Sequence, residues 1–484
     1  MPKASKSKDL IINNFVDEFK GEFKQEDNKL ICILCSKTIN TIKRYNINSH
    51  RNSTMHKRYI EQQPAKTSTS QLGAIKDFNE QLCEAFIDAD IPLFKLENTK
   101  FKLFLTEHMG KDIACTSTLR EKYLPMIFER RMENIRKAIK DKKVWIGIDE
   151  TIDAMKRNVA NVIIGTLDTD LNTEEKGFFL VMVKFWDQVN STTVFQTVLE
   201  ALNTVYLHGI PYNDILLFLT DAAPYMIKSG KFIQGLCPKI IHVTCAAHGL
   251  HRIAEEIRLC YPKIDKLISS TKQVFKKAPS RINRFREMQK LIPLPSEPVL
   301  TRWGTWLASV SYYSKYYDEV KNVVDSLDDD AACVRDSKES FANPKIKLEL
   351  SFINAHYCFI KDVILKLENR NLELIFSIDL IEKVVNELDK VPGGINIKKK
   401  CDQVFSKNIG LTQLKKISKV LLGEANEELK INLNPDELAS FKYAPITTCD
   451  LERSFSQYKS ILRENRRRFD QSTLCKYMVI YYNS

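Results

Sequence analysis

The sequence predicts an α/β protein: a mixed sheet interrupted by a large all-helical insertion and preceded by a small N-terminal unit. Three observations predict this. VWIGIDET (144–151), NVIIGTLD (161–168) and GFFLVMVKFW (177–186) are short runs rich in β-branched and aromatic residues, spaced closely enough for an antiparallel meander. ILLFLTD (215–221) is a continuous apolar run that suits a buried parallel strand, and KIIHVTC (239–245) follows after a short helical segment. From about 261 to 440 the periodicity is helical almost throughout, broken only by PLPSEP (293–298) and the acidic DSLDDD (325–330).

Taken in order, the chain divides into six segments. Residues 10–60 form the small unit, and a linker covers 61–76, where QQPAKTSTSQLG (62–73) is polar and without periodicity. A helical region follows over 77–140, with Leu82, Ala85 and Phe86 on one face and Pro92 and Pro125 as interruptions. The sheet and its helices, TTVFQTVLEALNTVYLHG (192–209) and AAHGLHRIAEEIRLC (246–260) among them, occupy 141–260 in the order β-β-β-α-β-α-β-α. The insertion runs over 261–440, and the closing helices over 441–484.

The composition of the 484 residues, 44% hydrophobic and 28% charged, is that of a globular chain and excludes a wholly disordered one. No apolar run is long enough to span a membrane, so no membrane partner is expected. MPKASKSKDL lacks the apolar stretch of a secretory signal, so the twelve Cys are expected to be free or metal-bound thiols. The net charge is +12 and the excess is clustered. Residues 37–66 carry seven basic groups against one acid, 272–290 seven against one, and 453–476 seven against two. Three such clusters suit a polyanion such as nucleic acid, although each one alone also fits a solvated helix face.

Cys32 and Cys35 are followed, after fourteen residues, by His50 and then His56, a C-x2-C…H-x5-H spacing expected of tetrahedral Zn²⁺. The stretch bearing the two His also carries Arg51, Lys57 and Arg58, where a groove-entering helix needs cations. Phe15, Phe19 and Phe23 lie just upstream and supply a small core for zinc to complete. Spacing, aromatic prelude and position resemble the BED-type zinc finger.

Asp149 ends the first strand and Asp221 the fourth, strands that are usually neighbours in a sheet of this order. Carboxylates at adjacent strand ends hold Mg²⁺ or Mn²⁺, and equally cap turns. Glu150 and Asp153 compete with Asp149 for that role. Leu451, Phe455, Tyr458 and Leu462 form an apolar helical stripe with Glu452 at its edge, so Glu452 reaches a sheet-end site or pairs with a neighbouring Arg. Cys245 and His248 form C-x2-H at a strand-to-helix junction, with His251 one turn on; this is a metal motif or a device that fixes a helix start.

Four pieces, IGIDETID (146–153), LTDAAPYM (219–226), CAAHGLHRIAEEI (245–257) and TTCDLERSFS (447–456), together resemble the hAT family of DNA transposases. The resemblance implies an RNase H-like core with Asp149, Asp221 and Glu452 as an acidic triad holding Mg²⁺ or Mn²⁺, and His248 near the scissile phosphate. It implies that 261–440 is the family's helical insertion and that Arg302-Trp303, in TRWGTW (301–306), acts on DNA, the Trp stacking on a flipped base. Double-stranded DNA as partner, a homo-oligomer of at least two chains assembled through the C-terminal helices, and a nuclear location follow from the same resemblance. A domesticated relative that binds DNA without cutting it shares every one of these features.

Overall fold

The structure, a computed structural model, describes part of residues 12–53, residues 77–167, 177–295, 304–424, Leu429, 431–462 and 469–484. It divides into two units, Met1–Lys76 and Asp77–Ser484.

In the first unit, strands β1 (Phe23–Glu26), β2 (Lys29–Cys32) and β3 (Thr38–Ile39) form an antiparallel sheet in sequence order, followed by helix α1 (Arg44–Arg51). Ile12, Phe23, Leu30, Cys32 and Ile47 make its core, with Phe15 and Phe19 packed against it. Among the described residues this core is small, the situation in which small domains need a staple.

The second unit is built on a five-stranded mixed sheet. Its strands are β4 (Val144–Ile152), β5 (Asn158–Thr166), β6 (Phe178–Trp186), β7 (Ile215–Thr220) and β8 (Ile241–Thr244), in spatial order β6-β5-β4-β7-β8. The meander β4–β5–β6 is antiparallel, whereas β7 runs parallel to both β4 and β8. Every residue of β7 is buried, which explains its uninterrupted apolar sequence. The second strand begins at Asn158, earlier than its apolar run, because Val159 and Ala160 continue the pairing with Thr151 and Glu150.

Counting helices of six residues or more, the sheet is preceded by α2 (Phe78–Asp88), α3 (Thr99–Met109) and α4 (Leu124–Ile139). Its crossovers are α5 (Ser191–Val205) and α6 (Pro224–Leu236), and α7 (Ala246–Cys260) leads away from β8. The insertion is α8 (Pro262–Phe275), α9 (Pro279–Met288), α10 (Thr305–Lys315), α11 (Tyr317–Asp325), α12 (Ala332–Ala342), α13 (Pro344–His356), α14 (Phe359–Leu367), α15 (Leu374–Asp389), α16 (Ile395–Ser406) and α17 (Ile409–Leu421). The chain ends with α18 (Pro435–Ser440), α19 (Cys449–Ile461) and α20 (Gln471–Tyr482).

Both sheet edges are closed by an asparagine carboxamide. On β6, Asn483 Oδ1 accepts from Leu180 N at 3.0 Å and its Nδ2 donates to Leu180 O at 2.7 Å. On β8, Asn408 Oδ1 accepts from Thr244 N at 3.2 Å and its Nδ2 donates to Thr244 O at 2.6 Å. Each side chain satisfies the donor and acceptor that an edge strand otherwise exposes. The C-terminal α20 buries Leu474, Tyr477, Met478 and Ile480 and packs on β6 and α4.

The approach of α17 to β8 is close. A Cβ at Gly410 would lie 1.9 Å from the backbone oxygen of His242. Backbone on a buried strand does not give way as a flexible side chain does. Gly410→Ala is therefore expected to destabilise the second unit by about 1–3 kcal/mol in urea unfolding, the range of overpacked cores. Gly235→Ala, in α6 with open space around its Cβ, is the control and is expected to be neutral or slightly stabilising.

Candidate metal centre at the sheet end

The centre forms where β4 meets α19. Gly147 on β4 leaves room for the helix: a Cβ there would lie 3.1 Å from Leu451 Cδ1. Asp149 stands opposite Asn161 on β5, and Asn161 Nδ2 donates to Ser454 Oγ of α19 at 2.7 Å across 293 residues of sequence. One turn further, Tyr458 donates to Asp153 Oδ2 at 3.1 Å. Leu451, Ser454 and Tyr458 recur at helical spacing, so three contacts fix the rotation of α19 about its axis. Glu452 lies on the adjoining face and is turned to the sheet end.

The result is a convergence of Asp149, His248 and Glu452, whose ligand atoms all lie within 4.8 Å of one another. Asp149 is buried, and its Oδ1 accepts from Glu150 N at 2.9 Å. His248 Nε2 stands 3.8 Å from Glu452 Oε1. Asp221, the second predicted acid, stands outside this group of three. Its Oδ1 accepts from Ala223 N at 3.0 Å, capping the turn into α6, while its charge still acts on Asp149 and Glu150. Of the competitors, Asp153 is spent on Arg157 at 2.7 Å and on Tyr458. Glu150 accepts from the Tyr225 hydroxyl, and its Oε2 is buried without a hydrogen-bond partner.

The electrostatics are those of a site short of positive charge. Burial first, then Glu452 and Asp221, push the Asp149 carboxyl well above the usual range, although His248 opposes this. Burial raises Glu452 too, against the pull of His248 and Lys459. His248 goes the other way: burial disfavours its charge, but Cys245, Asp149 and Glu452 outweigh it and carry it up to about 10. Burial would raise the Cys245 thiol, yet His248 and the backbone N–H of Thr448, 3.2 Å from Sγ, bring it down. The C-x2-H motif therefore acts on the centre: it presents a charged imidazole and ties the start of α7 to the start of α19. His251 is a half-buried neighbour whose pKa burial lowers.

A metal fits these residues. Two carboxylates converge, both are held above their ordinary pKa by burial, and Glu150 has a buried oxygen without a hydrogen-bond partner. These carboxylates would suit a divalent cation, with the charged His248 imidazole beside it and not among its ligands.

In the first unit, the ligand atoms of Cys32, Cys35 and His50 also lie within 4.8 Å of one another, with Cys35 Sγ 3.2 Å from His50 Nε2. The turn after β2 and helix α1 bring them together. His56, Lys57 and Arg58 lie outside the described residues. Arg51 is on α1, its guanidinium over the Phe19 ring at 4.4 Å. Arg302 and Trp303 lie outside the described residues as well. Trp306 of the same run is a core residue whose Nε1 donates to Asp265 Oδ1 at 3.1 Å.

Two basic clusters are partly neutralised within the chain. Arg281 pairs with Asp330 at 2.9 Å and Arg284 with Glu287 at 3.8 Å. Arg453 pairs with Asp450 at 2.7 Å and donates to the Glu368 carbonyl. Sequence reasoning missed Asn161 and Ser454, which orient Glu452. The signal was a polar residue inside the apolar NVIIG run and a Ser inside an apolar stripe.

Comparison with known proteins places two segments. Residues 116–274, which hold the whole five-stranded sheet with Asp149, Asp221 and His248, match a family described as a domain of unknown function, DUF659. Residues 69–126, which hold α2 and α3, match the CGGBP1 helical domain. Human CGG triplet repeat-binding protein 1 is 31% identical over 134 residues, covering 24% of this chain and 78% of that protein. The mouse protein of the same name matches with the same identity and coverage. The chain thus carries a DUF659-type α/β region, and it belongs to the family of CGG triplet repeat-binding protein 1. Glu452 lies beyond both matched segments. Among the described residues, no helix is long and apolar enough to cross a membrane.

The burial of Asp149 gives a pH test of the metal-free centre. A carboxyl raised in the folded state binds more protons folded than unfolded. Wild-type stability therefore falls as pH rises from the unfolded value of about 3.9 through the folded value. Asp149→Asn, which carries no such charge, is expected to melt higher than wild type at neutral pH without metal. That gain is expected to shrink as the pH is lowered through this window, measured by calorimetry in chelator.

Proposed function

We propose that the chain is a DNA-binding protein of the hAT transposase type, with an RNase H-like core that cuts and joins DNA strands using Mg²⁺ or Mn²⁺. The observation that carries this reading is the meeting of Glu452, from the far end of the chain, with Asp149 and His248. Long-range packing that sets a half-exposed acid against a buried one, with His248 offsetting them only in part, costs stability that ligand binding would repay. The resemblance of the four motifs to the hAT family supports it.

In this reading Asp149, Glu452 and Asp221 hold the metal, with the Asp221 carboxyl released from its cap on Ala223. When bound, the cation supplies Lewis-acid stabilisation of the attacking and leaving oxygens of a phosphodiester. His248, kept protonated by Cys245, donates to a phosphate oxygen beside the carboxylates. Asn161, Ser454 and the Leu451–Gly147 contact hold Glu452 in place. Cys32, Cys35, His50 and His56 bind Zn²⁺ in a BED-type finger that grips double-stranded DNA through Arg51, Lys57 and Arg58. Arg302 and Trp303 engage an extruded base. Assembly into at least a dimer and a nuclear location belong to the same reading.

A second reading, a non-cleaving DNA-binding regulator, is favoured by the relatives, which are named for binding a triplet repeat. Strand cleavage decides between the two. With Mg²⁺ or Mn²⁺ and DNA carrying the terminal repeats that flank the coding sequence, wild type is expected to nick or cut. Asp149→Asn and Glu452→Gln are each expected to abolish cutting while duplex binding stays unchanged. A wild type that binds but never cuts leaves the regulator as the description.

Zinc has its own check. Structural zinc contributes roughly 10 kcal/mol or more in finger peptides. Chelation is therefore expected to unfold the first unit, read as lost hydrogen-exchange protection in β1 and β2, with the second unit unchanged. Retained protection there would remove the zinc assignment.

A further inference from the structure

A cavity of about 400 Å³ opens at the β8–α7 junction. Its floor includes Thr244, Cys245 and Gly249, one wall is Pro224 and Ile227 of α6, and the opposite wall is Val404 and Phe405 of α16. Ala222, next to Asp221, and Cys245, the partner of His248, line the cavity and place it beside the centre. The close approach of α7 and α16 shapes the floor, since a Cβ at Gly249 would lie 2.9 Å from Val404 Cγ1.

Three cations surround the mouth: Arg252 on α7, Lys400 on α16 and Lys407 between α16 and α17. Lys400 pairs with Glu256 at 3.2 Å. Among the described residues, Arg252 and Lys407 make no hydrogen bond or ion pair. The Asn408 carboxamide is held by Thr244, donating one N–H to its O and accepting from its N. The cavity therefore sets an apolar face of Ile227, Val404 and Phe405 beside the polar Thr244, Gln403 and Asn408, is cationic at its rim, and is larger than an inorganic phosphate needs. A base on the Phe405–Val404 wall with its phosphate at the rim satisfies both halves, and a duplex does not enter a space between two packed helices.

We infer that this cavity takes one nucleotide unit of a single DNA strand, its base against Val404 and Phe405 and its phosphate on Arg252 and Lys407, beside the metal centre. The assignment rests on the reading of the chain as a DNA strand-processing protein. It adds to that reading a site for the unpaired strand on the insertion side of the sheet.

The test uses the full chain with a short fluorescein-labelled oligothymidylate, read by anisotropy over a range of salt. Two variants attack the site separately: Gln403→Trp fills the mouth from an exposed position, and Arg252→Glu with Lys407→Glu reverses the rim charge. Both sites are exposed, and unchanged melting curves check the fold. Each variant is expected to weaken binding about tenfold or more, and the charge reversal to reduce the log–log salt slope by about 0.7, from the one phosphate that Arg252 and Lys407 neutralise together. Thymidine monophosphate is expected to compete weakly, because one phosphate reaches the rim without the flanking strand. Wild-type affinity in both folded variants, or no binding by wild type, overturns the proposal. Competition by the mononucleotide as strong as by the oligomer overturns the strand assignment. The two readings fail separately. Lost oligothymidylate binding in the variants with no wild-type cleavage keeps the cavity and removes the enzyme. Cleavage with unaltered oligothymidylate binding does the reverse.

Discussion

The seating of α19 on β4 and β5 is the constraint on which the second unit depends. Without a side chain at Gly147, Leu451 reaches the sheet, and Asn161 and Tyr458 then fix the rotation of the helix. The Asn161–Ser454 bond is buried, so its loss would strand a polar group as well as remove a contact. The insertion follows from the same seating. Arg453, on another face of α19, donates to the carbonyl of Glu368 at the end of α14, and Arg370 reaches Asp450 at 3.1 Å. A helix pinned on one face by the sheet and on another by the insertion fixes the two relative to each other.

The sheet edges show how the insertion becomes part of the core. An edge strand invites pairing with a foreign chain unless it is covered. Here β8 is covered by Asn408 and Gly410 from the end of the insertion, and β6 by Asn483 from the end of the chain. Both covers come from segments far away in sequence. The five strands are therefore closed only after most of the polypeptide is available, and the insertion is tied to the sheet near its C-terminal end. A buried neutral His242, lowered to about 4 by desolvation and 2.9 Å from Thr220 Oγ1, packs in the same place under Gly230.

The order of strands and helices was legible because β-branched runs and helical periodicity are local signals. The parallel pairing of β4 with β7 was legible because so few topologies join a meander to a crossover. The stripe of Leu451, Phe455, Tyr458 and Leu462 announced a buried face, and all four are buried. Two things were hidden. The turn-capping bond of Asp221 depends on backbone geometry at the entrance to α6, which no residue pattern reports. The partners of the basic clusters were equally hidden, since Asp330 and the Glu368 carbonyl are brought to Arg281 and Arg453 by the fold and not by spacing.

The charge state of the sheet end bears on whether this surface is a relic or a working centre. A chain that had only to fold would gain by replacing a buried Asp149, crowded by Glu452 and Asp221, with a neutral residue. Instead the acid follows the apolar first half of its strand and faces an imidazole whose proton is held by a buried thiol. The imidazole offsets part of the repulsion, yet Asp149 stays raised, so the compensation within the chain is incomplete. In the proposed reading, divalent cations complete the compensation of this cluster, and the cations at the rim of the neighbouring cavity meet the phosphates of DNA.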